Sequence, residues 1–208
     1  MVEDLVKKIV WLGHDCFRID AEKTIYFDPY EISSGPKADL ILITHDHFDH
    51  CSPDDVAKIQ GPDTVIVTEK DSAKKLSGDV RVISPGETLN IGGLHVKAVP
   101  SYNTDKDFHP KKNAWIGFIV DIEGVKLYHA GDTDFISEMN DFTVDIALLP
   151  VSGTYVMTAD QAVKAALAIN PKIAIPMHYG SIVGDKNDAV KFKNALEGKV
   201  DVIILEKK

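Results

Sequence analysis

Thr44-His-Asp-His-Phe-Asp-His50 places three histidines and two aspartates within seven residues of a 208-residue chain. In extended backbone, residues two apart project to the same side, so His45, His47 and Asp49 can converge. A turn toward Ser52 then brings His50 round to the same region. Three imidazoles and a carboxylate form an N/O donor set suited to Zn²⁺, and also to Mn²⁺, Fe²⁺ or Ni²⁺. Grouping such polar side chains beside an apolar strand is costly unless something binds them. A solvated His/Asp-rich loop is the plain alternative, and the spacing disfavours it.

Two further segments offer donors. Lys126-Leu-Tyr-His-Ala-Gly-Asp132 puts a carboxylate straight after a strand-like run, where Asp132 can enter a site at the strand ends and bridge two metals. Ile175-Pro-Met-His178 is a strand-like run ending in a histidine. Alone, His178 reads as structural; with the other two segments it reads as a ligand.

The elements that must position these groups are short. β-branched and aromatic runs predict strands at 8–12, 16–19, 24–27, 64–68, 80–83, 95–99, 115–122, 126–129, 145–150, 173–177 and 200–205. The continuous apolar run Asp39–Thr44 predicts a strand covered on both faces. Ser52 caps a helix opening at Pro53, with Asp54 and Asp55 set for its dipole. Thr158-Ala-Asp-Gln161 is a capping box for an Ala-rich helix reaching about Ile169, and a second helix is predicted over 188–196. No linker interrupts the chain, so a single domain over residues 1–208 is expected, of α/β or α+β layered class.

Leu12-Gly-His-Asp-Cys-Phe17, Thr44–His50, His129-Ala-Gly-Asp-Thr133 and Pro176-Met-His178 together resemble the metallo-β-lactamase superfamily. The likeness is to its branch of small metal hydrolases related to ascorbate-phosphate lactonases. It spans nearly the whole chain and implies a four-layer αβ/βα sandwich with the site along one edge of two sheets. Position by position, it implies that His45 and His47 serve a first metal, that Asp49, His50 and His178 serve a second, and that Asp132 serves both. The family usually supplies a third histidine to the first metal after the strand ending His95-Val-Lys-Ala-Val-Pro100. Here the chain continues Ser101-Tyr-Asn-Thr-Asp-Lys-Asp-Phe-His-Pro110. Either His109 reaches back from this longer loop, or the position falls near Asn103, or it is open. Lys106, Asp107, Lys111 and Lys112 make the loop polar and mobile in expectation, a lid or substrate grip.

His14, Asp28, Asn103 and Tyr179 are expected to orient ligands or touch substrate. For Asp28 an orienting role competes evenly with a plain Asp-Pro turn. Tyr102 and Tyr155 could also donate to a developing oxyanion. His129 is expected to pack, His95 to face solvent, Trp11 and Trp115 to sit in the core, and Cys16 and Cys51 to be small buried hydrophobes.

The function expected is hydrolysis of an ester, lactone or phosphodiester of a small molecule by a metal-bound hydroxide, with Asp49 and Asp132 as catalytic carboxylates and one or two divalent ions, zinc above others. The rivals are a phosphodiesterase or nuclease-like activity of the same fold and a non-catalytic metal-binding protein. A di-iron redox centre would usually carry Glu in place of one histidine, and His47 argues against it. With 23 Lys and Arg against 32 Asp and Glu the net charge is −9, which disfavours nucleic acid. No apolar stretch approaches the ~18 residues of a membrane span, and Met1-Val-Glu-Asp4 does not resemble a secretion signal. A cytoplasmic protein is the default, and a homo-oligomer is compatible with the sequence.

Overall fold

The β-branched and aromatic runs pair into two sheets in a computed structural model that describes residues 1–208. The first sheet runs, in spatial order, β1 (Ile9–Gly13), β2 (Cys16–Asp20), β3 (Thr24–Phe27), β4 (Ala38–Ile43), β5 (Gln60–Thr68) and β6 (Asp79–Val82). Pairing is antiparallel from β1 to β3 and parallel from β3 to β6. The second sheet starts with the antiparallel strands β7 (Thr88–Ile91), β8 (Leu94–Pro100), β9 (Ile116–Ile122) and β10 (Val125–His129). It continues in parallel through β11 (Ile146–Pro150), β12 (Ile173–Met177) and β13 (Asp201–Val202). The helices are α1 (Val2–Val6), α2 (Pro53–Ile59), α3 (Lys70–Ala73), α4 (Ala159–Ile169) and α5 (Lys186–Ala195).

β4 is covered on both faces, as its unbroken apolar run requires. Leu40 and Leu42 face the main core shared by the two sheets, while Ile41 and Ile43 pack with Val56 and Ile59 of α2. On the second sheet, α4 lies against β11 and α5 against β12. This is the mixed α/β, two-sheet layering that the resemblance implies.

Some boundaries differ from expectation. The polar segments α3 and β7 carry too little apolar periodicity to predict an element. β5 starts at Gln60 rather than Thr64, and β13 keeps only two residues, paired with β12 at the sheet edge. α5 opens at Lys186, since the Asp185 carboxylate accepts from the Asn187 N–H and caps the helix earlier.

The strand ends define one edge of the sandwich. Asp28 follows β3, Thr44–His50 follow β4, Asp132 follows β10, Ser152 follows β11 and His178 follows β12. His14 and Asp15 form the β1–β2 turn. Backbone bonds join the sheets here, from Ile116 N–H to the Thr44 carbonyl and from His178 N–H to the His14 carbonyl, each 3.2 Å. Gly131 makes the approach possible. Its φ is +60°, and a Cβ there would lie 3.0 Å from the Thr44 side chain.

Candidate metal centre

One ring nitrogen each from His45, His47 and His109 fall within 4.8 Å of one another. The Thr44 hydroxyl donates to Asp28 Oδ2 at 2.7 Å, so it accepts from His45 Nδ1–H at 3.0 Å and leaves the Nε2 lone pair facing the cluster. His45 Nε2 is 3.0 Å from His47 Nδ1. His109 Nδ1 faces two acceptors, Asn103 Oδ1 at 3.1 Å and the Tyr155 carbonyl at 3.2 Å, so it carries the proton. The Asn103 amide is itself fixed, because its Oδ1 accepts from His109 N–H and its Nδ2 donates to the Tyr155 carbonyl. Trp115 walls this triad, its ring 4.8 Å from that of His45 and 4.7 Å from that of His47.

A second group gathers His14, Asp49, His50 and His178 within the same reach. His50 Nδ1 donates to Asp28 Oδ2 at 2.8 Å, and His178 Nδ1 meets Ser152 Oγ at 2.8 Å. Their Nε2 atoms turn inward. Asp132 lies between the groups: Oδ2 is 3.1 Å from His109 Nε2 and 3.2 Å from His178 Nε2, and Oδ1 is 3.3 Å from His50 Nε2. His14 Nε2 is 3.1 Å from Asp49 Oδ2. His14, Asp28 and His178 all take left-handed φ, 51°, 39° and 60°, and such strain gathers at functional sites.

His50 Nε2, His109 Nε2, His178 Nε2 and Asp132 Oδ1 are buried without a well-aligned hydrogen bond, meeting one another only in the close contacts around Asp132. Buried polar atoms held without well-aligned hydrogen bonds are costly unless something else satisfies them. Four of them converging, three imidazole nitrogens and a carboxylate oxygen, fit the donor preference of divalent transition ions.

Charge coupling follows from the same geometry. Burial alone would lower His50 and His178, yet the Asp132 carboxylate outweighs it, holding His50 well above its usual range and His178 up to about 9. Burial would raise Asp132, but His178 and His50 keep it far below the ordinary carboxylate range. His45 and His47 go the other way, depressed by burial and by neighbouring imidazoles. At pH 7 the metal-free chain therefore carries protons on His50 and His178 that a metal must displace. Between pH 6.5 and 8.5, affinity is expected to rise about tenfold per pH unit for each proton displaced. Competition with a chromophoric chelator across that range checks this, and a flat profile would show that these imidazoles are already neutral.

Of the residues expected at a site, His45, His47, Asp49, His50, Asp132, His178 and His109 come together at this edge. Between the alternatives left open for the first triad, His109 reaches in and Asn103 instead holds its ring. Asp28 orients ligand-type histidines rather than serving only as a turn. Tyr179 is a correction: it is 4% exposed and packs against Trp11 at 4.9 Å, and its hydroxyl is pushed up to about 12 by burial. Trp115 is another, a wall of the first triad and not part of the main core. Tyr102 bonds Glu138 and Lys111 away from the cluster.

The 101–110 loop is tied down rather than loose. Lys106 Nζ sits 2.6 Å from Asp134 Oδ1, and Thr104 N–H donates to Asp134 Oδ2. His129 packs as expected, stacked on Phe27, with its Nε2 donating to the Asp15 carbonyl. His95 is exposed, and Cys16 and Cys51 are buried free thiols. Ser152, Asp134 and Asp15 escaped the sequence reading. Asp15 is fully buried with both carboxylate oxygens unpartnered, close to Asp28 and His50.

Comparison with known proteins gives the family and the fold. Residues 8–178 match the model of the β-lactamase superfamily domain. A UPF0173 metal-dependent hydrolase of Thermoplasma acidophilum is 36% identical over 95% of this chain and 94% of its own length. Its Thermoplasma volcanium counterpart is 35% identical over 96% of each. A crystal structure from Parabacteroides distasonis, 36% identical, superposes with a TM-score of 0.84 over 96% of this chain and 93% of that one. A metallo hydrolase from Ignicoccus hospitalis shares the fold at 24% identity, TM-score 0.77, over 96% and 94%. The chain belongs to the UPF0173 family of metal-dependent hydrolases within the β-lactamase superfamily.

Proposed function

We propose that this protein hydrolyses an ester, lactone or phosphodiester bond of a small molecule at a centre of one or two divalent ions, zinc being the metal best suited to its imidazole-rich donors. The observation that carries this reading is the gathering of His45, His47, His109, His50, His178, Asp49 and Asp132 at one strand-end edge, with His47, Asp49, His109 and Asp132 lining an open pocket. His45, His47 and His109 would hold a first ion, Asp49, His50 and His178 a second, and Asp132 both. Bound there, such ions supply an acidified water and a Lewis acid for the scissile oxygen.

The side chains do the rest. Asp28, Thr44, Ser152 and Asn103 fix which ring nitrogens offer lone pairs. Asp49 lines the pocket, and the His14 hydrogen bond, together with the nearby His50, overcomes the upward push of burial to hold it at about 2. Asp49 is placed to relay the proton from the attacking water to the leaving oxygen as the new C–O or P–O bond forms and the old one breaks. A surface of charge −9 fits small substrates better than nucleic acid. No helix is long and apolar enough to cross a membrane, and a cytoplasmic setting, in monomers or homo-oligomers, is consistent with the reading.

Stripping the metal with a chelator should abolish turnover on a panel of esters, lactones and phosphodiesters, and zinc or manganese should restore it. His109→Ala is expected to remove about one equivalent of tightly held metal. Asn103→Ala should weaken the same position about 10–100-fold without emptying it. Metal content after gel filtration separates the two. Unchanged content in both variants would falsify the assignment of His109.

A further inference from the structure

The pocket over the centre has a volume of about 230 Å³. Its floor is His47, Asp49, His109 and Asp132; its walls are Phe48, Phe108, Tyr155 and Ile182. Those walls are unusual for this molecule. Only seven large hydrophobic side chains in the chain are exposed, and three of them stand here: Phe48 at 68%, Phe108 at 50% and Ile182 at 39%. Exposed apolar residues scattered singly need no explanation, whereas a cluster around a reactive floor marks a binding surface. The aromatic rings are braced, Phe108 edge-on to Tyr155 at 4.7 Å and Phe48 edge-on to Tyr30 at 5.9 Å.

What the lining omits is equally informative. It contains no lysine or arginine. The lysines nearest along the loop, Lys106 and Lys111, have their ammonium groups engaged, the first by Asp134 and Asp105 and the second by Glu138 and Tyr102. A phosphoester or carboxylate substrate would bring a charge that finds no protein cation beside the metals, on a chain already at −9. The volume lies below the ~300 Å³ where drug-sized pockets begin, so the group it admits is short.

We propose that the substrate is an uncharged ester or lactone whose non-reacting side is a short apolar group, seated between Phe48, Phe108, Tyr155 and Ile182. This rests on the hydrolytic reading above and chooses among its substrate classes.

The test uses the zinc-loaded full chain and straight-chain hydroxamates from acetyl to octanoyl, whose head groups chelate metal. Calorimetry is expected to show affinity rising about fourfold per added methylene until the pocket is filled. The gradient should flatten in Phe108→Ala and Ile182→Ala, with zinc content reporting that each variant is folded. Esters should follow the same order in kcat/KM, and bis(p-nitrophenyl) phosphate should be turned over poorly. Hydroxamates that bind equally at every length overturn the apolar pocket and leave the hydrolase standing. Failure of every hydroxamate to bind zinc-loaded protein strikes at the hydrolase reading itself, and at this proposal with it. A gradient that survives both substitutions, together with an oligomer that dissociates on making them, would assign the rim to contact between copies and overturn the proposal.

Discussion

Asp132→Asn is expected to cut hydrolysis roughly 10³-fold or more, about 4 kcal/mol of transition-state stabilisation, and to leave the chain holding less metal. The reason is its position. One carboxylate approaches ring nitrogens of His50, His109 and His178 within 3.3 Å, so it touches histidines of both clusters. An amide keeps the shape and loses the charge. It would supply one neutral oxygen where the two clusters need an anion between them. The metal-free chain should report the same change through its pH dependence.

The signs follow from the shifts. Asp132 is depressed well below 3.8, so its stabilisation is present above that value and is lost as the pH falls through the folded pKa. His178 is raised from 6.5 to about 9, so its contribution is complete below 6.5 and is lost as the pH climbs through about 9. Urea melts of metal-free protein at pH 5, 6.5 and 9 should therefore show stability falling toward pH 9. In Asp132→Asn that alkaline loss should shrink, because the anion that raises both histidines has gone. An alkaline loss of wild-type size in the variant would mean that Asp132 does not govern these imidazoles.

Much of this site is legible in the sequence because the motif and its strand are local. Asp39–Thr44 followed by His45, His47, Asp49 and His50 needs only the geometry of an extended run and a turn. Asp132 and His178 are legible as strand-end residues once the first cluster is known. The first triad's third member is not, since the position of His109 depends on bonds from Asn103 to the Tyr155 carbonyl, 52 residues away. Trp115 is misread for a related reason: burial and aromaticity look the same whether the neighbours are leucines or imidazoles. Polarity makes the 101–110 loop look mobile, but its tether is Asp134, buried beyond the next two strands. The apolar rim is hidden too, because Phe48 inside a histidine motif and Ile182 in a glycine-flanked loop show their exposure only after folding.

Asp28 is the residue whose role the sequence leaves most evenly divided, and its replacement should separate orientation from ligation. It is fully buried; Oδ1 accepts from Thr44 N–H at 2.8 Å, and Oδ2 accepts from both the Thr44 hydroxyl and His50 Nδ1–H. A single carboxylate thus sets the tautomer of His50 directly and that of His45 through Thr44. Asp28→Asn tolerates the positive φ of this position and can keep the Thr44 N–H bond. It then turns an NH₂ toward His50. Two donors cannot face each other, so His50 is driven to the Nε2–H tautomer, with a proton where a lone pair should meet the metal. Metal affinity at the second position is expected to fall about 10–100-fold while the fold persists. Asp28→Ala removes every acceptor at once, leaves buried donors unpaired and places alanine at a left-handed φ. It should cost about 3–5 kcal/mol, near 10 °C in Tm for a chain of this size. Chelator competition and thermal melts on the pair distinguish the two effects. If Asp28→Asn binds zinc within twofold of wild type, ring orientation by this carboxylate is not what makes the second position a metal site.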